Sequence, residues 1–134
     1  MTSEPFFDTN VVIYLVSSDA RKSGISAGLL DAGGLVSVQV LNEYARVLRR
    51  KFKRSWKQVR DASESLREAC DVVANTEDVH VKGLNLAERY KLDVHDAMIL
   101  ATAILSGCTI LYSEDMQHGQ TIEGLTITNP FKTT

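Results

Sequence analysis

Four acidic side chains lie where acids are uncommon or where a buried segment ends. They are Asp8, Glu43, Asp96 and Asp115. Carboxylates about 4 Å apart repel each other by about 1 kcal/mol in water and by about 4 kcal/mol at an effective dielectric of 20, so a cluster needs a cation or a proton to neutralise it. Oxygen ligands without Cys or His favour Mg²⁺ or Mn²⁺ over zinc. A divalent ion held in this way serves phosphoryl chemistry, because it orients a phosphate and lowers the pKa of a bound water.

Each of these acids also has a simpler explanation when it is taken alone. Asp8 stands where a helix is expected to begin, and an acid there accepts a backbone N–H bond worth about 1 kcal/mol. Asp93-x-x-Asp96 resembles a capping box with Asp in place of Glu, and the positive end of a helix stabilises an acid there by roughly 0.3–1 kcal/mol. Glu43 falls on the apolar face of a predicted helix, where an ion pair with a nearby arginine would account for it. Asp115 and its neighbour Glu114 follow a buried strand, where loop residues are usually polar. Both kinds of explanation stay open until the elements that carry the acids are considered.

Three polar residues accompany the acids in sequence. Thr9 and Asn10 follow Asp8 directly, and Ser113 precedes the Glu114-Asp115 pair. Their side chains could orient carboxylates or a water molecule, but turn chemistry explains them equally well.

Positive charge is concentrated in one segment, residues 46–60. Eight of its fifteen residues are Lys or Arg and none is acidic, which leaves 7 basic against 17 acidic residues elsewhere in a chain of net charge −2. Such a segment predicts contact with a polyanionic backbone. The candidate contacts are Arg46, Arg49, Arg50, Lys51, Lys53 and Arg54. Phe52 and Trp56 could stack on bases, but their helical spacing favours packing.

Composition and length predict one globular domain over residues 1–134. Apolar residues make up 44% and charged residues 24%, the balance of a globular protein. No apolar stretch reaches the roughly 18 residues of a membrane span, and the N-terminus lacks a secretory signal. Cys70 and Cys108 are interpreted as reduced cytosolic thiols, with no support for a disulfide. The expected location is the cytoplasm.

Strand and helix patterns alternate along the chain. Strands are predicted at 6–7, 35–38, 109–113 and 125–128, a helix or buried turn at 11–16, and five further helices at about 25–32, 40–48, 56–73, 81–90 and 93–107. In the fourth helix the apolar period runs from Trp56 to Val73, and in the fifth it includes Val81 and Leu84. Short, uniformly apolar strands between helices indicate an α/β sandwich around a mostly parallel sheet. Ligands bind beyond the carboxyl ends of such strands, where Asp8 and the acids after Ser113 are expected to meet.

Four segments in this order are familiar: FFDTNVVIYL, VQVLNEYARVL, HDAMILATAILSGC and ILYSEDMQHG. From Phe6 to Asn129 the chain resembles PIN-domain ribonucleases, most closely the toxins of VapBC-type toxin–antitoxin modules. The resemblance implies a three-layer α/β/α fold in which all four acids form a metal-binding pocket supported by Thr9 or Asn10 and by Ser113. The resemblance also implies that Asp115, and not Glu114, is the acid of the last segment. Strand alternation alone does not decide between these two residues.

The resemblance further implies a biochemical role. Proteins of this family hydrolyse single-stranded RNA or a structured cellular RNA such as tRNA, using Mg²⁺ or Mn²⁺ and a metal-activated water without a covalent intermediate. A toxin of this kind is neutralised by a cognate antitoxin protein, and homodimers are common among similar proteins.

Two other functions compete with this one. A phosphohydrolase could use Asp8 as a covalent nucleophile, but such enzymes usually place a second acid two residues later, where this chain has Asn10. A PIN-like scaffold could instead bind RNA or a protein non-catalytically through the basic segment Arg46–Arg60. The presence of all four acids argues against a degenerate site of that kind.

Overall fold

A six-stranded sheet organises the computed structural model, which describes residues 4–133. Its strands are β1 (Phe6–Phe7), β2 (Leu35–Ser37), β3 (Asp71–Val73), β4 (Ile110–Tyr112), β5 (Thr121–Ile122) and β6 (Leu125–Thr128). Their order in the sheet is β3-β2-β1-β4-β6-β5, and only the β5–β6 pair is antiparallel. The predicted α/β fold with a mostly parallel sheet is confirmed.

Six α-helices connect and cover these strands. They are α1 (Thr9–Ile13), α2 (Ala20–Asp31), α3 (Val38–Arg50), α4 (Trp56–Ala69), α5 (Glu77–Tyr90) and α6 (Val94–Leu105), with a 3₁₀ turn at Tyr14–Val16. The apolar character of α6 is explained by its position, because half of its residues are buried. None of the helices within residues 4–133 combines the length and apolar character needed to cross a membrane. Cys70 and Cys108 are both buried and free.

The register of β1 and β4 decides where the polar residues meet. Phe7 pairs with Tyr112 in parallel, and the backbone N–H of Asp8 donates to the Tyr112 carbonyl oxygen at 2.9 Å. Asp8 and Ser113 therefore leave the sheet side by side at its carboxyl edge. The expectation that these strand ends share one edge is confirmed.

Two details of the predicted helices are wrong. Val73 does not belong to the fourth helix, because the chain becomes extended at Cys70 and Asp71–Val73 pairs with β2. Val81 and Leu84 do not face the core, since they are 53% and 45% exposed.

The buried face of α5 instead carries Val79, Gly83 and Leu86. A Cβ at Gly83 would lie 2.5 Å from Sδ of Met98 in α6, so the two helices approach closely at this point. A glycine adds nothing to an apolar period, and the pattern therefore selected the wrong face. The strand predicted over 35–38 ends at Ser37, which caps α3 by accepting from the Val40 N–H, and β5 was not predicted.

Gly34 precedes β2 at a position where a side chain has no room. A Cβ there would lie 2.4 Å from Cε2 of Phe7 and 2.7 Å from the carbonyl oxygen of Pro5, which accepts the Leu35 N–H. Gly34→Ala is expected to lower the free energy of unfolding by about 2–3 kcal/mol, because β1 and β2 must separate. Chemical denaturation measures the change.

Gly28→Ala is the matched control for that substitution. Gly28 is exposed in α2, and a Cβ there meets nothing within 4 Å. Alanine should raise the stability by up to about 1 kcal/mol, because it favours the helix. Equal effects at the two glycines would contradict the close approach at Gly34.

Candidate active site

Asp8 stands at the junction of β1 and α1, and it is 3% exposed. It is the N-cap of α1, with its Oδ1 accepting the Thr9 N–H at 2.7 Å. Its Oδ2 accepts the Ser113 hydroxyl at 2.8 Å, and Ser113 itself is fully buried. The capping explanation is therefore correct in geometry, but it occupies only one of the two carboxylate oxygens.

Asn10 connects Asp8 to the loop after β4. Its Nδ2 donates to Asp8 Oδ2 at 3.2 Å and to Asp115 Oδ2 at 3.1 Å. Its Oδ1 accepts the backbone N–H of Glu114 at 3.1 Å. One amide thus holds two carboxylates on the same side of the sheet edge. The hydroxyl oxygen of Thr9, by contrast, is buried without a partner among the described residues.

Glu114 and Asp115 point to different partners. Glu114 accepts the Tyr14 hydroxyl at 2.6 Å and forms an ion pair with Lys22 at 2.5 Å. Although partial burial opposes ionisation, the bonds from Lys22 and Tyr14 hold the pKa of Glu114 below its usual value. Of the two acids, Asp115 is the one linked to Asp8 through Asn10.

Asp96 approaches from the first turn of α6, whose N-cap is Asp93. The Asp93 side chain accepts the His95 N–H at 2.8 Å, but the side chain of Asp96 makes no hydrogen bond to any other described residue, so the capping-box pattern does not close. Burial, and then the charge of Asp93, raise the pKa of Asp96, while His95 lowers it and Asp115 raises it further.

Of the four acids, Glu43 has the weakest link to the other three. It is half-buried in α3 and pairs with Arg46 at 3.4 Å, the ion pair that was one of its two explanations. Gln39, one turn earlier, donates to the carbonyl oxygen of His95 at 3.2 Å, so the first turns of α3 and α6 are adjacent. Glu43 therefore lies on a helix that contacts His95, the neighbour of Asp96, although within residues 4–133 no hydrogen bond or ion pair joins it to the other acids.

The carboxylates act on one another electrostatically. Burial raises the pKa of Asp8 to about 6, the bonds from Ser113 and Thr9 oppose that rise, and the charges of Asp96 and Asp115 add to it. Mutual repulsion among three acids at one sheet edge is the situation in which a bound cation is stabilising.

The sequence around these acids is that of a known domain family. The family profile of the PIN domain matches residues 6–121. The chain belongs to the PIN domain family. No curated protein sequence gives a significant match.

Solved structures of similar fold come from toxin–antitoxin systems. A toxin–antitoxin complex from Klebsiella pneumoniae matches with a TM-score of 0.74 and 23% identity, covering 96% of this chain and 99% of the other. The Mycobacterium tuberculosis toxin VapC20, described as cleaving the sarcin–ricin loop, matches with a TM-score of 0.68 and 22% identity, covering 83% and 89%. VapBC from Salmonella typhimurium bound to DNA matches with a TM-score of 0.68 and 16% identity, covering 94% and 97%. At these identities the likeness concerns the fold.

The donors of this PIN domain suit a divalent cation in type. Asp8, Asp96 and Asp115 offer hard carboxylate oxygens, which match Mg²⁺ or Mn²⁺. Residues 4–133 contain no group of three or more His, Cys, Asp or Glu side chains already gathered to metal-binding distance.

The basic segment lies at the surface beside these acids. Five of the six candidate contacts are exposed and Arg54 is half-buried. Lys51 and Phe52 line a cleft of about 250 Å³ together with Asn10 and Asp115. The segment that follows α3 is thus continuous with the acidic edge of the PIN domain.

The sequence patterns did not reveal the residues that hold the loop after β4, or the residue that links α3 to α6. Lys22 and Tyr14 secure Glu114, and Gln39 links α3 to His95. Their partners lie 56 to 100 residues away along the chain, so no local spacing could reveal them.

Proposed function

We propose that this PIN domain is a metal-dependent endoribonuclease that acts in the cytoplasm as a toxin and is neutralised by a cognate antitoxin protein. The observation that carries the proposal is the juxtaposition of Asp8, Asp115 and Asp96 at the carboxyl edge of the sheet. In a PIN domain whose structural neighbours are toxins and toxin–antitoxin complexes, this set supports phosphodiester hydrolysis. The substrate class is single-stranded or structured cellular RNA such as tRNA.

The carboxylates have distinct tasks in this proposal. Asp8, Asp96 and Asp115 would hold a Mg²⁺ or Mn²⁺ ion, and Glu43 would join them from α3. Such an ion, when bound, would supply an activated water and offset charge on the phosphate. Ser113 and Thr9 keep Asp8 oriented and favour its ionised form through their hydrogen bonds. Asn10 holds Asp115 beside Asp8.

Basic residues would deliver the substrate. Lys51 lines the cleft that contains Asp115, so its ammonium can hold a phosphate next to the acids. Arg46, Arg49 and Arg50 lie earlier on the same exposed segment, with Lys53 and Arg54 after it. Contacts of this type release counterions, so binding should weaken steeply with salt. We also propose that the protein forms a homodimer, which would contain two such acidic edges.

Chelation tests the proposed chemistry directly. Purified protein should cut total cellular RNA with Mg²⁺ or Mn²⁺, lose cleavage in excess EDTA, and regain it when the ion is restored, because ionised carboxylates alone repel the phosphate. Gel electrophoresis with end mapping of the fragments measures cleavage and the cut site.

Two results would decide against this function. Cleavage that persists unchanged in EDTA would reject the metal mechanism. Salt-sensitive RNA binding without any metal-dependent cleavage would favour the non-catalytic RNA- or protein-binding module. The observation that supports this alternative is the Glu43–Arg46 ion pair, because it engages Glu43 with the basic segment and not with the other acids.

A further inference from the structure

Trp56 is the most exposed large apolar side chain in the described part of the chain. It begins α4 and is 59% exposed, so packing, the role that its helical spacing favoured, does not explain it. Single exposed apolar residues are common on protein surfaces, and exposure by itself indicates nothing. The surroundings of the ring are what distinguish this one.

The Trp56 cleft is a groove of about 420 Å³ lined by Ala45, Arg46, Arg49, Arg50 and Trp56. Three of its five lining residues are arginines and none is acidic. The guanidinium carbon of Arg49 lies 4.3 Å from the centroid of the indole ring. Arg49 Nη1 also donates to the Arg54 carbonyl oxygen at 2.9 Å, which fixes the guanidinium beside the ring. The groove therefore presents two neighbouring planar groups, the Trp56 indole and the Arg49 guanidinium, in a positively charged surrounding.

A stripe along α3 leads from the acids to this groove. Gln39, Glu43, Arg46 and Arg50 follow one another at intervals of three or four residues, which places them on one side of the helix. Gln39 contacts His95, the neighbour of Asp96, and Glu43 pairs with Arg46. From Glu43 to Arg50 the helix rises about 10 Å, a distance that a few nucleotides of extended RNA can span.

We propose that the Trp56 cleft is a stacking site for an unpaired base of the RNA substrate, a few nucleotides from the bond that is cut. This inference rests on the proposed ribonuclease function and narrows its substrate to RNA with an unpaired base at that position. Bases splayed out of single-stranded RNA stack on indole rings and on guanidinium planes. Arg46 and Arg50 would contact the adjoining phosphates, for which the arginine fork is well shaped.

A protein segment fits the same cleft less well. Apart from Trp56, its only apolar lining residue is Ala45, and the other three are arginines whose charged ends a neutral aliphatic side chain would not engage. The three arginines would favour an acidic peptide, but the flat Arg49–Trp56 pair favours a planar, negatively charged chain. The planar Arg49–Trp56 pair and the surrounding arginines are therefore complementary to the flat base and the charged phosphate of a nucleotide.

Intrinsic fluorescence can detect this contact, because Trp56 is the only tryptophan in the chain. The full-length Asp8→Asn variant, chosen so that RNA is not cut, is titrated with a short single-stranded oligoadenylate in EDTA. Stacking should quench the emission saturably, and the same sequence in a duplex should quench far less. Arg49→Ala in the same background should weaken the binding about tenfold.

Arg89→Ala provides the matched control for Arg49→Ala. Arg89 also lies over an aromatic ring, 5.4 Å from the centroid of Tyr90, and its loss removes the same charge outside the cleft. Its affinity for oligoadenylate should stay within about twofold of the parent, as expected for one exposed charge. Equal losses for the two variants would overturn the stacking site and leave only general electrostatic attraction.

Cleavage kinetics separate this inference from the proposed function. With Asp8 intact, Trp56→Ala should raise KM about tenfold, and Trp56→Phe should recover most of the loss because a ring is retained. Metal-dependent cleavage by the parent together with an unchanged KM and no quenching would overturn the stacking site alone. Quenching by oligoadenylate in a parent that cuts no RNA would reject the nuclease and support a single-strand binding site. Quenching by polyglutamate but not by oligoadenylate would assign the cleft to a protein partner.

Discussion

Cleavage of RNA by the Asp8→Asn variant is expected to fall by about a thousandfold, which corresponds to about 4 kcal/mol of transition-state stabilisation. Asparagine is as good a helix N-cap as aspartate, and its amide oxygen can keep the Thr9 N–H bond. The substitution therefore preserves the cap, removes the charge that a cation would require, and puts an amide donor in place of the Oδ2 oxygen that accepts from Ser113 and Asn10. The measurement is kcat/KM on one RNA in Mg²⁺, with circular dichroism to verify the fold.

Asp19→Asn is the matched control for Asp8→Asn. Asp19 is the N-cap of α2, where its Oδ1 accepts the Lys22 N–H at 3.0 Å. The same change of side chain at a cap outside the acidic edge should leave kcat/KM within about twofold, because both residues cap equally well. If Asp8→Asn cleaved RNA as fast as Asp19→Asn, Asp8 would be a structural cap and its assignment as a metal ligand would be wrong.

Support for the acidic edge extends well beyond its carboxylates. Lys22 in α2 holds the side chain of Glu114, and the backbone N–H of Glu114 donates to Asn10. Asn10 in turn contacts both Asp8 and Asp115. A continuous set of hydrogen bonds thus ties α1, α2 and the loop after β4 into one unit. Because of these bonds, Asp115 lies on the side of Asp8, while Glu114 points to Lys22 and Tyr14.

How much of this site follows from the sequence depends on the kind of contact. Asp8 and Ser113 were correctly placed at one sheet edge, because both follow short apolar strands that pair in parallel. Val73 was misplaced because its strand exists only through pairing with β2, a partner that no local pattern reveals. Val81 and Leu84 were misplaced because Gly83 provides the close contact to α6 without adding to the apolar period.

Two side chains, on α3 and α4, have partners that apolar periodicity does not reveal. The apolar spacing of Trp56 predicted packing, but in the structure the ring stacks on Arg49 and stays exposed. Glu43 was placed on an apolar face by its spacing, and it is half-buried as that spacing implies, yet it pairs with Arg46 in the next turn. In both cases a neighbouring arginine changes the environment of the side chain, and helical periodicity contains no information about which arginine that is.

The stability of the metal-free protein should decrease as the pH rises through the titration of Asp8. Its pKa is about 6 in the folded chain against 3.8 for a free aspartate, so between these values the folded state binds more protons than the unfolded state. Stability therefore falls from about pH 4 to about pH 6, by about 3 kcal/mol in total, and the loss is complete above that range.

Asp8→Asn has no such proton to lose. Its free energy of unfolding, measured by urea denaturation in EDTA, should gain on that of the parent by about 2–3 kcal/mol between pH 4 and pH 7. A pH-independent difference would contradict the raised pKa. At neutral pH, Mg²⁺ should stabilise the parent more than Asp8→Asn, because only the parent offers the buried carboxylate. The residue proposed to be needed for cleavage would then also be one that destabilises the metal-free fold, which is the relation expected when burial and neighbouring acids prepare a site for a cation.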